Sequence, residues 1–288
     1  MAVDDDLKNL RQRIDSLDEE ILSLLRARTQ VVTEVGEVKK RLDLSVFMRP
    51  GREAAIIRRL LSRPLGEMPP RMVFRLWREL MMASLQLEQP FSVAVYAPPQ
   101  QFDCLMLARE QFGGATPLLL FDTTAGVLRA VGEGAALVGV LPDLIEDCDE
   151  RPWWRQLVFD DPAGLGVVFQ LPFVEAERGA RAFAVGRIQG EETGDDNSFI
   201  VLKTFEEISR GALRDAVEAA GFQVLRLAAW ATPDMGDETY YLVELKDFVS
   251  EDDARLKALS SRFTIRHAGS YAVPMVLNEK DVPHVSAA

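Results

Sequence analysis

One long series of apolar residues, at alternating steps of three and four, constrains this chain most. The series predicts a single helix of about 38 residues, about 57 Å long at 1.5 Å per residue. Its members are Leu7, Leu10, Ile14, Leu17, Ile21, Leu24, Val31, Val35, Val38 and Leu42. Two shorter helices are predicted after it, beginning near Pro50 and after Pro69-Pro70, and together they are too short to cover it. We therefore expect a second copy of the chain to cover the apolar seam in an intertwined helical dimer.

The same spacing places Arg28 inside the apolar series. Burying an unpaired guanidinium costs several kcal/mol, so Arg28 needs a partner. One alternative is a carboxylate from another helix of the protein. The other is an anionic ligand, because a guanidinium grips a carboxylate with two parallel hydrogen bonds. The spacing alone leaves both open.

The charge of the chain is distributed unevenly. The net charge is −12, with about +2 in residues 1–90 and −14 in the remainder. Such an acidic surface disfavours nucleic acid and anionic membranes as partners. No apolar stretch approaches the roughly 20 residues that cross a bilayer, and the acidic start is unlike a signal peptide. We expect a cytoplasmic protein.

Cysteine and histidine are scarce, which limits the chemistry of the N-terminal region. Cys104 and Cys148 are the only cysteines, in no ligand-like spacing, and both histidines, His267 and His284, lie near the C-terminus. A disulfide framework or a cysteine-based zinc site therefore has little support. We expect no metal and no cofactor, and any chemistry of the N-terminal helices must use other groups.

Polar residues fall in register across the three predicted helices, over about residues 7–89. The pattern consists of Leu10-Arg11, Ile14, Leu17-Asp18, Leu25 to Arg28, Glu34-Val35-Gly36, Lys39, Arg52-Glu53 and Ser84. It resembles the helical chorismate mutase family, especially the mutase portion at the start of bifunctional mutase–prephenate dehydratase proteins. The resemblance implies that the chain binds chorismate and rearranges it to prephenate.

The resemblance assigns roles to four cationic residues. Arg28 and Arg52 would hold carboxylate and polar oxygens of the substrate, and Lys39 would contact a carboxylate and the ether oxygen whose bond breaks. Arg11 would reach in from the other subunit. Helix geometry supports this last role, because Arg11 and Arg28 are about 25 Å apart along one helix, too far for both to hold one small ligand. Arg28 and Lys39, 11 positions apart, return nearly to the same face.

The resemblance also assigns roles to three other polar residues. Glu53 would contact the ring hydroxyl, and Ser84 would help to seat a carboxylate. Glu88 stands four positions after Ser84, where bacterial members commonly have glutamine. Glutamate donates a hydrogen bond only when protonated, so we expect Glu88 to act as the neutral acid. A surface glutamate at a helix end is the alternative. A second departure is Arg49, where the family often has aspartate.

Residues 91–189 alternate apolar runs with helical stretches, which predicts a βαβαβ unit with a parallel sheet. The segment SVAVYAPPQQFD, the pair Gly132 and Gly134, and VGVLP resemble the opening of a prephenate dehydratase domain. The family's Thr-Arg-Phe sequence is replaced by Ala180-Arg181-Ala182-Phe183. Its Glu-Asn-Ser is replaced by Asp143-Leu144-Ile145. We therefore expect a degenerate segment without dehydratase activity.

Residues 190–288 begin with a polar linker, GEETGDDN at 190–197, followed by elements in the order βαββαβ. This order resembles an ACT regulatory domain, and Gly211-Ala212-Leu213 matches the start of its amino-acid-binding motif. The second motif, Glu-Ser-Arg-Pro, is replaced by Ala229-Trp230-Ala231-Thr232. The resemblance implies an aromatic amino-acid effector, and a domain that only pairs across the dimer is the alternative.

The sequence thus predicts a multidomain protein. Residues 1–90 would form an all-α intertwined mutase domain, residues 91–189 a degenerate dehydratase-like α/β unit, and residues 190–288 an α+β ACT-like domain. Two other functions fit the same patterns: an isochorismate pyruvate lyase, which has the same helical fold, and a non-catalytic regulatory protein.

Overall fold

The computed structural model describes residues 2–42, 48–143, 152–157, 164–175, 179–206, 208–231 and 238–276. Several residues singled out in the sequence lie outside these ranges: Leu144, Ile145, Cys148, Thr232 and His284. The chain divides into two compact units, each of which is described by itself below. Residues 1–47 and 83–90 form the first unit, and residues 48–82 and 91–288 form the second.

Three helices open the chain, as the apolar periodicity predicts. They are α1 (Ala2–Arg41), α2 (Pro50–Leu61) and α3 (Pro70–Glu88). Acidic residues lie in the first turn of α1 and basic residues in its last turn, where they complement the helix dipole. Proline stands at the start of α2, where its missing N–H is harmless. The single long helix and the starts of the two shorter ones are confirmed.

The apolar stripe of α1 is exposed along its whole length, from 41% at Val38 to 70% at Leu24. A neighbouring face of the same helix is covered within the first unit. Gly36 is buried there, and Arg28 and Lys39 are half-buried. A Cβ added at Gly36 would lie 3.4 Å from Cγ of Glu88, so residues 83–90 pack closely on this face. The stripe itself is left exposed.

The second unit continues with alternating strands and helices. In chain order these are β1 (Val93–Tyr96), α4 (Asp103–Phe112), β2 (Leu118–Phe121), α5 (Thr124–Gly132), β3 (Val138–Pro142), α6 (Trp153–Gln156), β4 (Gly166–Leu171), β5 (Val174–Glu175) and β6 (Ala182–Gly186). Strand β1 pairs in parallel with both β2 and β3, which confirms the predicted βαβαβ unit. Strand β6 then pairs antiparallel with β3 and β4, so the sheet is mixed.

The C-terminal elements follow the predicted βαββαβ order. They are β7 (Asp196–Thr204), α7 (Arg210–Ala219), β8 (Val224–Ala231), β9 (Thr239–Lys246), α8 (Ala254–Leu259) and β10 (Thr264–Ala272), with a short β11 (Met275–Val276) after them. Antiparallel pairing joins β10 to β7, β7 to β9 and β9 to β8. Helices α7 and α8 pack their buried leucines against this sheet, with Val243 and Leu245 of β9 in the same core.

The parallel strands and the C-terminal strands belong to one sheet. Nine strands lie in the order β2-β1-β3-β6-β4-β10-β7-β9-β8, and β5 pairs separately with β11. The junction is Gly269 of β10 beside Val167 of β4. Gly269 has φ +116°, and a Cβ there would lie 2.2 Å from backbone atoms of Val167, so only glycine permits this approach. The expected boundary at residues 189 and 190 thus divides one continuous sheet.

Among the described residues, no helix combines the length and the apolar character needed to cross a bilayer.

Candidate active site

Arg28 and Ser84 are brought together in the first unit. Arg28 lies on α1 and Ser84 near the end of α3, and Nη1 of Arg28 donates to Oγ of Ser84 at 2.7 Å. Ser84 lies within reach of Arg28 because it continues the face of α3 that carries Trp77 and Met81, at steps of four and three. The hydroxyl is a neutral acceptor that satisfies one N–H of the guanidinium. Two residues with predicted substrate-binding roles are therefore in direct contact.

Lys39 and Glu88 form a second contact in the same unit. Nζ of Lys39 lies 2.7 Å from Oε2 of Glu88, and the side chains are only 20% and 9% exposed. Arg28 and Lys39 are about 16 Å apart along α1, whereas Ser84 and Glu88 are about 6 Å apart along α3. Because their partners are so close together, the two long cationic side chains converge, as their spacing predicts.

Arg11 lies far from this pair of contacts within its own chain. It is exposed on α1, about 25 Å from Arg28 by helix rise. No described contact joins it to the four residues above. Its proposed role in a site of the other subunit stays a prediction.

Arg52 and Glu53 belong to the second unit and point to different environments. The Arg52 side chain is exposed on α2, and its backbone N–H donates to Oε2 of Glu191 at 3.3 Å. Glu53 is buried, and its Oε2 accepts from Nη1 of Arg78 at 2.6 Å. Burial raises the pKa of Glu53, and the Arg78 guanidinium acts against that rise. The predicted contact of Glu53 with a ring hydroxyl stays a prediction.

Arg78 is the buried charge that the sequence reasoning missed. It is only 2% exposed, and its Nε donates to the backbone oxygen of Gln111 at 2.6 Å. The signal was present in α3, where Phe74, Arg78 and Met82 follow each other at four-residue steps in a buried stripe. Arg28 interrupts the apolar series of α1 in the same way.

The two replaced motifs of the dehydratase-like segment meet at Arg226 of β8. Nη1 of Arg226 donates to both carboxylate oxygens of Asp143, at 3.1 and 3.3 Å, and its guanidinium lies 5.8 Å from the ring centre of Phe183. Its Nε donates to buried Glu244, which also accepts from the Tyr271 hydroxyl. Burial raises the pKa of Tyr271 well above its usual range. A phenol held neutral in this way serves as a hydrogen-bond donor.

The effector-motif residues lie in the first turn of α7. Gly211 and Ala212 are exposed, and the Ala212 N–H donates to Oγ of Ser209, the residue that caps the helix. Leu213 is fully buried in the C-terminal core. Trp230, from the replaced second motif, instead lies under the guanidinium of Arg155 at 5.0 Å. Effector binding at Gly211, Ala212 and Leu213 stays a prediction.

Potential metal ligands do not gather in the described part of the chain, where no group of three or more His, Cys, Asp or Glu side chains has a suitable arrangement. His267 of β10 is half-buried, and its Nε2 lies 3.0 Å from Oγ of Ser270. Burial lowers the pKa of His267. Cys104 is buried.

Curated relatives of the chain carry two activities in their names. "Bifunctional chorismate mutase/prephenate dehydratase" of Pseudomonas aeruginosa is 39% identical over 149 residues, which are 49% of this chain and 40% of the relative. The protein of the same name from Neisseria gonorrhoeae is 37% identical over 130 residues, 45% of this chain and 35% of the relative. The chain thus matches less than half the length of either. Both matches are longer than the helical region, so they reach into the α/β region.

One solved structure is similar to part of this chain. Prephenate dehydratase from Streptococcus mutans superimposes with a TM-score of 0.49 at 18% identity, over 65% of this chain and 100% of that chain. A likeness of this extent supports no conclusion about activity. The family profile described as "Chorismate mutase type II" matches residues 10–89. The helical N-terminal region of the chain, which holds the Arg28–Ser84 and Lys39–Glu88 contacts, therefore belongs to the chorismate mutase type II family.

Proposed function

We propose that the helical region rearranges chorismate to prephenate. The observation that carries the proposal is the pairing of Arg28 with Ser84 and of Lys39 with Glu88 inside the stretch that matches the mutase profile. Two cations of fixed position are what a small dianion requires. Arg52 enters the proposal through its place in the family pattern, and Glu53 does so in the same way.

The residues present suit this reaction. A pericyclic rearrangement needs no nucleophile and no obligatory proton transfer, so positioning and electrostatic stabilisation suffice. Arg28 would hold a substrate carboxylate with two of its N–H groups, and Ser84 would add a hydroxyl beside it. Lys39 would stabilise the negative charge that develops on the ether oxygen. Stabilisation that grows toward the transition state is what raises the rate.

The proposal includes a homodimer. The exposed apolar stripe of α1 is too long to be left in water by a stable monomer, since apolar surface gains about 25 cal/mol for each Å² that it buries. A second copy presents the same stripe and covers it by twofold symmetry. An antiparallel arrangement would also bring Arg11 of one subunit toward Arg28 of the other. Within one subunit the two residues are too far apart along α1 to meet.

The test is an assay of the purified chain with chorismate. Loss of chorismate is followed by absorbance, and the product is identified by mass spectrometry. Prephenate without pyruvate supports the proposal. Pyruvate released from isochorismate identifies a lyase instead, and absence of turnover with both substrates identifies a non-catalytic protein.

Prephenate dehydratase activity is a second candidate. The replaced Thr-Arg-Phe and Glu-Asn-Ser motifs predict that the activity is absent, but the comparisons do not support that expectation. Relatives named for both activities match this chain beyond its helical region. Phenylpyruvate formed from added prephenate would establish the activity. Prephenate that is unchanged after complete chorismate turnover would establish a mutase alone.

An aromatic amino acid is proposed as an effector of the ACT-like region. The support is the Gly211-Ala212-Leu213 motif at the capped, exposed start of α7, together with the βαββαβ order and the antiparallel β10-β7-β9-β8 pairing. Calorimetric titration with phenylalanine and with tyrosine tests this. Heat of binding that Gly211→Leu removes supports an effector site, and no heat with either amino acid supports a purely structural domain.

A further inference from the structure

The first turn of helix α2 lacks a cap from its own sequence. The first N–H groups of a helix have no partner inside it, and a Ser, Thr, Asp or Asn at the N-cap usually supplies one. Here the N-cap residue is Arg49, whose side chain makes no capping hydrogen bond. A guanidinium contains donors only, so it is unable to accept from the helix. The cap must come from elsewhere.

Glu191, 139 positions after Arg52, supplies it. Its Oε2 accepts from the backbone N–H of Arg52 at 3.3 Å. Its Oε1 accepts from Nε and Nη2 of Arg49 at 2.8 and 2.5 Å. One carboxylate therefore neutralises the arginine at the N-cap and places negative charge at the positive end of the helix dipole. All of these contacts lie within the second unit.

Gly51 makes this approach possible. A Cβ at Gly51 would lie 2.8 Å from Cβ of Glu191, 3.0 Å from its backbone oxygen and 3.1 Å from Cγ2 of Thr193. Any side chain would therefore collide with the segment that caps the helix. Glycine is unfavourable within a helix, so its place in the first turn of α2 is explained by the close approach of Glu191.

A second arginine of α2, Arg58, forms hydrogen bonds with the same segment. Nη1 of Arg58 donates to Oγ1 of Thr193 at 2.7 Å, and Nη2 donates to the backbone oxygens of Asp195 and Val273 at 2.7 and 2.8 Å. Buried Asp196 holds this turn in shape, because its Oδ2 accepts from the Thr193 N–H and its Oδ1 from the Thr193 hydroxyl. We call residues 190–196 the clamp turn. The clamp turn leads directly into β7.

We propose that the clamp turn fixes helix α2, and that Glu191 is a positioning residue for Arg52. The inference rests on the proposed mutase function, in which Arg52 binds substrate. Its consequence is that the region after residue 189 is required for full mutase affinity, because it holds helix α2 in place. Without Glu191 the first turn of α2 frays, and Arg52 samples orientations that do not bind.

Steady-state kinetics with chorismate test the proposal on the full chain. We expect Glu191→Ala to raise KM by about five- to tenfold and to change kcat by less than about twofold, because Arg52 would bind substrate and transition state alike. Glu191→Gln keeps an acceptor and should recover part of the affinity. Glu192→Ala removes the same charge from the exposed neighbouring residue and should leave both constants unchanged. Equal kinetics for Glu191→Ala and Glu192→Ala would overturn the proposal.

Hydrogen exchange gives a readout that does not depend on activity. Amides of residues 51–54 should exchange faster in Glu191→Ala than in wild type or Glu192→Ala, whereas amides of β1 should not change. Unchanged exchange at 51–54 would overturn the clamp. Gly51→Ala should show the same faster exchange and raised KM, because its side chain would displace Glu191. This variant tests the proposal if Glu191→Ala folds poorly. Absence of turnover by wild type would instead refute the proposed function, and the exchange result would still decide the clamp.

Discussion

Arg78 and Glu53 form an ion pair at 2.6 Å in the interior of the second unit, with side chains 2% and 9% exposed. Arg78 also donates to the backbone oxygen of Gln111, so the pair connects α2, α3 and the end of α4. The guanidinium has the carboxylate partner that a buried cation requires. The interior arginine of α3 is thus a structural residue.

Replacing Arg78 by methionine should destabilise the protein by about 3–5 kcal/mol, because Glu53 would be left buried without its partner. Urea denaturation measures the free energy of unfolding. Arg75→Met is the matched control on the same helix, since Arg75 is 65% exposed and its ion pair with Glu110 should be worth less than about 1 kcal/mol. The double variant Arg78→Met with Glu53→Gln should recover part of the loss. A single variant as stable as the control would contradict this account.

The contrast between Arg78 and Arg28 shows what the sequence could predict. Both arginines interrupt an apolar series in the sequence, and such an interruption indicates that the side chain needs a polar partner. Nothing in the spacing identifies the partner, because that depends on which helix packs opposite. Arg78 meets the Glu53 carboxylate, and Arg28 meets the Ser84 hydroxyl.

Local elements were predictable where a strong period or a clear breaker marks them. The three helices and the βαβαβ and βαββαβ orders follow from such signals. The nine-stranded sheet does not follow from such signals, because its junction depends on one close approach of Gly269 to Val167. Strands β4 and β6 were also not predicted. The polar linker predicted at 190–197 is instead a folded turn. Local sequence patterns do not reveal it, because its partners in α2 are about 140 positions away.

The role proposed for Glu88 leads to a pH prediction. Glutamate donates to an ether oxygen only as the neutral acid, whereas glutamine donates at any pH. In the structure Glu88 instead accepts from Lys39. We expect wild-type kcat/KM to decline as the pH rises, and Glu88→Gln to show a flat profile with activity within about tenfold of wild type at neutral pH. Indistinguishable pH–rate profiles for the two proteins would refute the role of Glu88 as a donor.

Burial lowers the pKa of His267, and this makes stability depend on pH. The unfolded chain takes up a proton near the ordinary value of about 6.5, and the folded chain does so only at lower pH. The free energy of unfolding should therefore fall as the pH drops through about 6.5. His267→Asn should reduce that slope. Urea denaturation at about pH 7.5 and pH 5.5 compares the two proteins, and equal losses would show that His267 does not contribute.

The exposed stripe of α1 predicts the assembly state. Ile14 is 56% exposed, and a glutamate there would place charge in the proposed dimer seam. We expect Ile14→Glu to shift the chain from dimer to monomer and to abolish mutase turnover. Light scattering after gel filtration measures the mass. Ser16→Glu adds the same charge away from the stripe and should stay dimeric. A wild-type protein that is monomeric at all concentrations would contradict the seam.

The central claim is that Arg28 binds the substrate, and turnover by two matched variants tests it most directly. Arg28→Ala removes the half-buried cation beside Ser84, and Arg26→Ala removes an exposed arginine two positions earlier on α1. We predict that Arg28→Ala lowers kcat/KM for chorismate by at least about 100-fold, the loss typical of a preorganised electrostatic contact, with an unchanged melting temperature. Arg26→Ala should match wild type. Retained activity in folded Arg28→Ala would contradict the account.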